Sequence, residues 1–152
     1  MALNESYFVF LHHKIKRAMK IYTSYFGNNR KLKEAGIKVI CVAIGKPRFL
    51  GAVPQMLNVC PTRYMISSAC SHEEYLKLYD RILASQDANR VVEQIKALSE
   101  GQDVALCCYE KPGDFCHRHI LAKWLTEKTG IEITEFGVVD KKEPEYEQAS
   151  LF

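Results

Sequence analysis

The pattern of hydrophobic and polar positions along the chain predicts strands that alternate with helices. Four apolar runs, rich in β-branched or aromatic residues, predict strands over residues 20–26, 37–44, 103–109 and 131–136. The run over 37–44 is almost entirely apolar, which is typical of a strand that is covered on both faces of a parallel sheet. We therefore expect a sheet with packed layers on both sides.

Apolar residues at helical spacing lie between these strands. A short helix is predicted over residues 28–35, and a longer one begins after Ser71-His72-Glu73-Glu74, which has the composition of a capping box. Further helices are predicted over about residues 89–98 and from Cys116 to Gly130. This alternation predicts a Rossmann-like α/β fold in three layers, with a mostly parallel sheet flanked by helices.

The length of 152 residues fits one domain, which we place at residues 19–137. Residues 1–18 are interpreted as an N-terminal extension or a cloning artefact. The charged segment 138–152 is interpreted as a flexible acidic tail. The composition is ordinary for a soluble globular protein, with 47% hydrophobic and 26% charged residues.

The net charge and the positions of the cysteines limit the classes of protein and the cellular compartments that fit this sequence. A formal net charge of +3 is too small to mark a nucleic-acid-binding protein by itself. Of the six cysteines, Cys41, Cys107 and Cys108 lie in strand-like runs, and no secretory signal precedes them. We therefore expect a reducing, cytoplasmic location. No apolar run is long enough to cross a membrane, so no membrane partner is expected.

The loop over residues 110–118 carries the candidate chemistry. It follows a buried strand and runs into a helix N-terminus, a place where anions bind and where a thiol pKa falls. We predict catalytic roles for Glu110, Cys116 and His117, and an anion-binding role for Arg118. Structural alternatives remain open: Cys116 as a packed thiol, His117 as a core histidine, and Arg118 paired with Glu110.

A second loop, over residues 45–61, is long for a small domain. Its basic residues Lys46 and Arg48 are candidate phosphate contacts, and Gly45 and Pro47 are expected to shape it. A solvated surface loop is the alternative interpretation.

No cofactor is predicted, but a metal site is an alternative. Cys108, Cys116 and His117 offer soft ligands for zinc, with Cys60 as a fourth. Their spacing contains no Cys-x-x-Cys pattern, which argues against this alternative.

Several of these residues resemble the family known as domain of unknown function 488. The resembling segments are Leu106 to Lys111, Phe115 to Arg118, Val42 to Pro47, and the helix with Tyr75, Tyr79 and Leu83. The resemblance spans about residues 20–136 and implies a small bacterial or phage α/β domain with no settled activity. Its motif positions fall on Gly45, Pro47, Cys108, Glu110, Cys116, His117 and Arg118. Thr23-Ser24-Tyr25 departs from the family pattern.

The chain ends in Gln148-Ala149-Ser150-Leu151-Phe152, which is similar to the peptide by which bacterial repair and replication proteins bind the sliding clamp. Leu151 and Phe152 would be the apolar anchors, while Gln148 and Ser150 complete the motif. We therefore expect the sliding clamp as a partner. The alternative is that the two terminal apolar residues fold back on the domain.

Two classes of function follow from these observations. The first is an enzyme that processes nucleic acid, a nucleotide or a modified base through the Cys/His/Arg/Glu site and is recruited to DNA by the clamp. The second is a non-catalytic adaptor that binds phosphate or DNA. A thiol-redox or zinc-binding protein is a weaker alternative.

Overall fold

The computed structural model describes residues 18–111 and 115–138. The predicted N-terminal extension, apart from Ala18, lies outside the described residues. So do residues 112–114 of the candidate loop and residues 139–152, which include the clamp-like peptide.

The four strands form one sheet in which every pairing is parallel. They are β1 (Ile21–Tyr25), β2 (Lys38–Cys41), β3 (Val104–Cys108) and β4 (Ile133–Glu135), in the order β2-β3-β1-β4. The order places β3 and β1 at the centre, and every residue of β3 is buried. The predicted parallel sheet is confirmed.

Four helices flank this sheet. They are α1 (Asn29–Glu34), α2 (His72–Ala84), α3 (Ala88–Ser99) and α4 (His117–Thr129). Helix α2 begins as the capping box predicts, with Ser71 Oγ accepting a hydrogen bond from the Glu74 N–H at 3.1 Å. Helix α4 ends at Thr129 and is capped by Gly130, whose φ of 75° is the left-handed conformation that glycine adopts without steric cost.

Alternating residues of the strands divide the core into two layers. Val104 and Leu106 of β3 pack in the larger cluster, with α2, α3 and α4, whereas Ala105 and Cys107 pack in the smaller cluster, with Leu32 of α1. The predicted three-layer α/β architecture is therefore confirmed. In the described ranges, no helix combines the length and the apolar character needed to span a membrane.

Strand β2 is shorter than the apolar run that predicts it. Val42 and Ala43 stay buried beyond the end of β2, and the Val42 N–H still donates to the Cys107 carbonyl oxygen at 3.0 Å. The chain later returns beside β2, so that Cys41 and Gln55 form a bridge. The carbonyl group of Val42 is thereby presented at the carboxyl edge of the sheet. Cys108, at the end of β3, lies at the same edge.

Candidate functional site

Two cysteines meet at the carboxyl edge of the sheet. Cys108 is the last residue of β3, and Cys116 is the residue that precedes the first turn of α4. Their Sγ atoms are in contact, and their Cα atoms are 7.5 Å apart. That Cα separation is longer than the 4.4–6.8 Å found in most disulfides. Both side chains are buried, so the pair is shielded from bulk solvent.

The ring of His117 is oriented by the backbone of the loop after β2. Its Nε2 lies 2.6 Å from the carbonyl oxygen of Val42, and its Nδ1 lies 3.7 Å from Cys116 Sγ. Because a carbonyl oxygen only accepts hydrogen bonds, Nε2 carries the hydrogen and the Nδ1 lone pair faces the thiols. Burial lowers the pKa of His117 to about 4, outweighing the opposite effect of the Val42 hydrogen bond.

Arg118 is fully buried, with all of its guanidinium nitrogens bonded to the protein. Nε and Nη2 donate to the Glu135 carboxylate, with Nη2 2.8 Å from Oε1. Nη1 donates to Cys108 Sγ at 2.9 Å and to the Glu110 carbonyl oxygen. Arg118 thus pairs with a carboxylate, but the partner is Glu135, and Glu110 contributes its carbonyl instead. A phosphate would have to displace these groups, so the contacts give no support to anion binding by Arg118.

Glu135 is the acidic partner of this network. Burial tends to raise the pKa of Glu135, but hydrogen bonds from His119, Arg118 and Thr23 outweigh that effect and lower the pKa to about 2. His119 Nε2 lies 3.1 Å from Oε2. Glu135 is therefore a carboxylate at neutral pH, and it fixes Arg118 against Cys108.

A cavity of about 420 Å³ opens above the two cysteines and His117. Aromatic rings line it: His72 and Tyr75 from the start of α2, Tyr109 after β3, and Phe115 before α4. Phe115 contacts both His72 and Tyr75 edge-on, with centroid distances of 4.4 and 5.3 Å. Tyr109 and Phe115 are 53% and 47% exposed, so their rings are available to a ligand. Glu110 is exposed and also lines the cavity.

The basic residues of the second loop do not line this cavity, although Pro61 at the end of that loop does. Lys46 Nζ donates to the carbonyl oxygen of Val53 at 3.0 Å, and Arg48 begins a surface turn, Arg48–Leu50, directly after Pro47. Within the described part of the chain, no arginine or lysine lines the cavity. Neither loop-shaping candidate, Gly45 or Pro47, lines the cavity, but a Cβ at Gly45 would lie 3.6 Å from the hydroxyl of Tyr109, which does. The predicted anion-binding residues, Lys46, Arg48 and Arg118, therefore do not meet at this cavity.

Cys60, the proposed fourth metal ligand, has other partners. Its Sγ–H is within hydrogen-bonding distance of the carbonyl oxygens of Met56, at 3.1 Å, and Ala43, at 3.3 Å. Burial raises the pKa of this thiol to about 12. Among the described residues, the group whose ligand atoms cluster is Cys108, Cys116 and His117, without Cys60.

The sequence did not indicate which residues surround the cluster of Cys108, Cys116 and His117. His72 and Tyr75 are the first and fourth residues of α2, a helix whose sequence predicts its cap and its apolar face, but not which cavity it borders. Glu135 and the Val42 carbonyl have no local signal, because both reach the site through strand order.

One comparison with known proteins identifies the family. Residues 56–129 match the family model described as "DUF488-N3a: Active DUF488-N3 subclade". The matched segment contains α2, α3, β3 and α4, and therefore Cys108, Cys116 and His117. No curated protein and no solved structure matches the chain. On the strength of the family match, which agrees with the resemblance in the motif residues, the chain carries a domain of the DUF488 family.

Proposed function

We propose that this protein is an enzyme that binds a planar heterocycle, part of a nucleotide or a modified base, in the aromatic-lined cavity and acts on it at Cys108, Cys116 and His117. The observation that carries the proposal is the convergence of two thiols and an imidazole at the floor of that cavity. Reactive side chains converging in a largely apolar pocket are the usual basis for assigning a functional site.

The cavity suits a flat ring in size and in chemistry. Its volume of about 420 Å³ lies within the roughly 300–1,000 Å³ range of small-molecule sites. Phe115, Tyr75 and His72 present ring faces and edges, and such rings hold a base by stacking, worth about 1–3 kcal/mol per base.

The charge of the residues that line the cavity favours entry of one part of the ligand over another. Glu110 is acidic, and none of the described lining residues is lysine or arginine. A phosphate would therefore lose hydration without gaining a lysine or arginine partner, which is unfavourable. We infer that the uncharged ring enters and that any phosphate stays at the mouth.

The reactive groups suit proton transfer and attack on such a ring. His117 Nδ1 offers a lone pair beside Cys116, and the Cys108 sulfur accepts a hydrogen bond from Arg118, which favours negative charge on sulfur. Glu110, at the exposed rim, is the candidate acid or base in exchange with water.

Ligand binding and turnover test the proposal separately. The intact chain would be titrated with a panel of bases, nucleosides and nucleoside monophosphates, and each mixture would be analysed by mass spectrometry for products. Phe115→Ala should weaken the best ligand by about 1–3 kcal/mol, roughly 5- to 150-fold. Phe49→Ala, at an exposed phenylalanine that does not line the cavity, is the matched control. Equal effects of the two substitutions would contradict the proposal. Ligand binding without turnover would favour the adaptor alternative.

Recruitment to DNA remains a proposal from the sequence. Gln148, Ser150, Leu151 and Phe152 support binding to a sliding clamp through two terminal apolar anchors. The intact chain should bind a purified bacterial clamp, and a chain that lacks residues 148–152 should not. Binding that survives the deletion, or is absent from the intact chain, would contradict the proposal.

A further inference from the structure

Three buried side chains with metal-binding atoms come from two elements at one edge of the sheet. The Sγ atoms of Cys108 and Cys116 and a ring nitrogen of His117 all lie within 4.8 Å of one another. Cys108 ends β3, Cys116 is the N-cap of α4, and His117 is the first residue of that helix. The parallel sheet and the packing of α4 on it hold the three donors in place.

The surroundings of these donors are those of metal ligands. A metal-bound histidine usually donates its second ring N–H to a carbonyl or carboxylate oxygen, and His117 Nε2 is paired in this way with the Val42 carbonyl. The remaining nitrogen, Nδ1, is on the side of the sulfurs. Arg118 Nη1 is 2.9 Å from Cys108 Sγ, a charge-assisted contact that suits a thiolate ligand.

We propose that Cys108, Cys116 and His117 bind a Zn²⁺ ion, with a fourth coordination position open to the aromatic-lined cavity. Two thiolates and one imidazole are a ligand set found in catalytic zinc sites, in which the fourth position holds water or substrate. Thiolate and imidazole donors also favour zinc over the hard cations magnesium and calcium. All three ligands line the cavity, so the open position faces it.

Charge at the proposed centre balances. Two thiolates and a neutral imidazole cancel the charge of Zn²⁺, and Arg118 is already neutralised by Glu135. Binding releases the two thiol protons to solvent, and no oxidation or reduction takes place. The buried centre therefore gains an ion without leaving an uncompensated charge.

A disulfide between Cys108 and Cys116 is the competing state, because their sulfur atoms are in contact. Zinc–sulfur bonds of about 2.3 Å at a tetrahedral angle would separate the sulfurs by roughly 3.8 Å. The Cα separation of 7.5 Å exceeds that of most disulfides and is compatible with this wider spacing.

The inference deepens the proposed function and rests on it for the role of the open position. When bound, zinc would polarise water or a ring substituent in the cavity, the chemistry that Cys/His zinc centres supply to enzymes acting on bases. Metal binding itself is independent of which ring the cavity accepts, so the two proposals can fail separately.

The test uses the intact chain, purified under reducing conditions without chelator. Elemental analysis should find about one zinc ion per chain, and Co²⁺ substituted for zinc should give the thiolate-to-metal charge-transfer absorption. Cys108→Ser, Cys116→Ser and His117→Ala should each lower the metal content severalfold. Cys70→Ser, which removes a thiol that lines the same cavity but is outside the cluster, should retain it.

Three results would overturn the zinc proposal: reduced wild-type protein that takes up neither Zn²⁺ nor Co²⁺, a Cys108–Cys116 disulfide that persists in reductant, or metal loss in Cys70→Ser equal to that in Cys116→Ser. The cobalt spectrum of the wild-type chain tests thiolate coordination of the metal even if the ligand variants do not fold. The first of these results, combined with retained nucleoside binding, would overturn the zinc proposal alone. Wild-type protein that binds metal but no nucleoside would overturn the proposed function alone.

Discussion

Arg118 Nη2 lies 2.8 Å from Glu135 Oε1 in the interior of the domain, so that the first turn of α4 is joined to the end of β4. The same guanidinium contacts Cys108. A change in the Glu135 carboxylate should therefore alter both the stability of the domain and the environment of the cysteine.

Replacing Glu135 by glutamine should destabilise the domain by about 3–5 kcal/mol, because a buried arginine would lose its counter-charge. Urea unfolding followed by circular dichroism would measure the change. Glu127→Gln removes the carboxylate of an exposed pair with Lys123 at 3.9 Å and should cost no more than about 1 kcal/mol. Similar losses in both variants would show that the Arg118–Glu135 pair is not buried as described.

The lowered pKa of Glu135 predicts an acid-sensitive contribution to stability. Since this pKa falls from an ordinary 4.5 to about 2 in the folded protein, the contribution is complete above about pH 4.5. It is lost as the pH falls from 4.5 towards 2 and amounts to at most about 3.5 kcal/mol, at about 1.4 kcal/mol per pKa unit. The stability difference between wild type and Glu135→Gln should narrow over that interval. A constant difference would contradict the predicted pKa.

Asp87 caps the start of α3, with its side chain accepting from the N–H groups of Asn89 and Arg90. Asp87→Ala should cost about 0.5–2 kcal/mol, since two backbone donors lose their partner. Asp87→Asn is the matched control, because asparagine caps helices about as well as aspartate does. Thermal unfolding would rank the three proteins, and an Asn variant as unstable as the Ala variant would argue against capping.

The four cysteines other than Cys108 and Cys116 should differ in the rate at which they react with iodoacetamide. Burial raises the pKa of Cys41, Cys60 and Cys107, and each of these side chains is shielded. The pKa of Cys70 is also raised, by desolvation and by Glu74, but its side chain is partly exposed at the cavity and should be modified first in the native protein. Peptide mass spectrometry over a time course would establish the order. Early labelling of Cys60 would contradict the buried position of its thiol.

Much of the fold follows from local pattern. The strands were predictable from their apolar runs, of which β3 is buried along its whole length, and α2 and α4 because Ser71 and Gly130 mark a helix start and a helix end. The observed elements are within a few residues of the predicted ranges. The largest difference is β2, which ends at Cys41 because the apolar residues that follow fill the core from a loop.

The candidate site was only partly predictable. Cys116, His117 and Arg118 are adjacent in sequence and lie where the loop after β3 meets the start of α4, so their meeting with Cys108 follows from local connectivity. The pairing of Arg118 with Glu135 depends on the position of β4 in the sheet, which no local pattern encodes. The aromatic lining likewise depends on how α2 packs, so the cavity had no signal in the sequence.

The order and direction of the strands also determine how the protein should be handled. The cavity is bordered by residues that follow β2 and β3, whereas the chain enters β1 at the opposite edge, five residues or roughly 16 Å away along the strand. A biosensor surface or an affinity matrix attached ahead of β1 would thus hold the domain by the edge remote from the cavity mouth. For ligand screening, immobilisation from that side leaves the mouth open to the mobile phase.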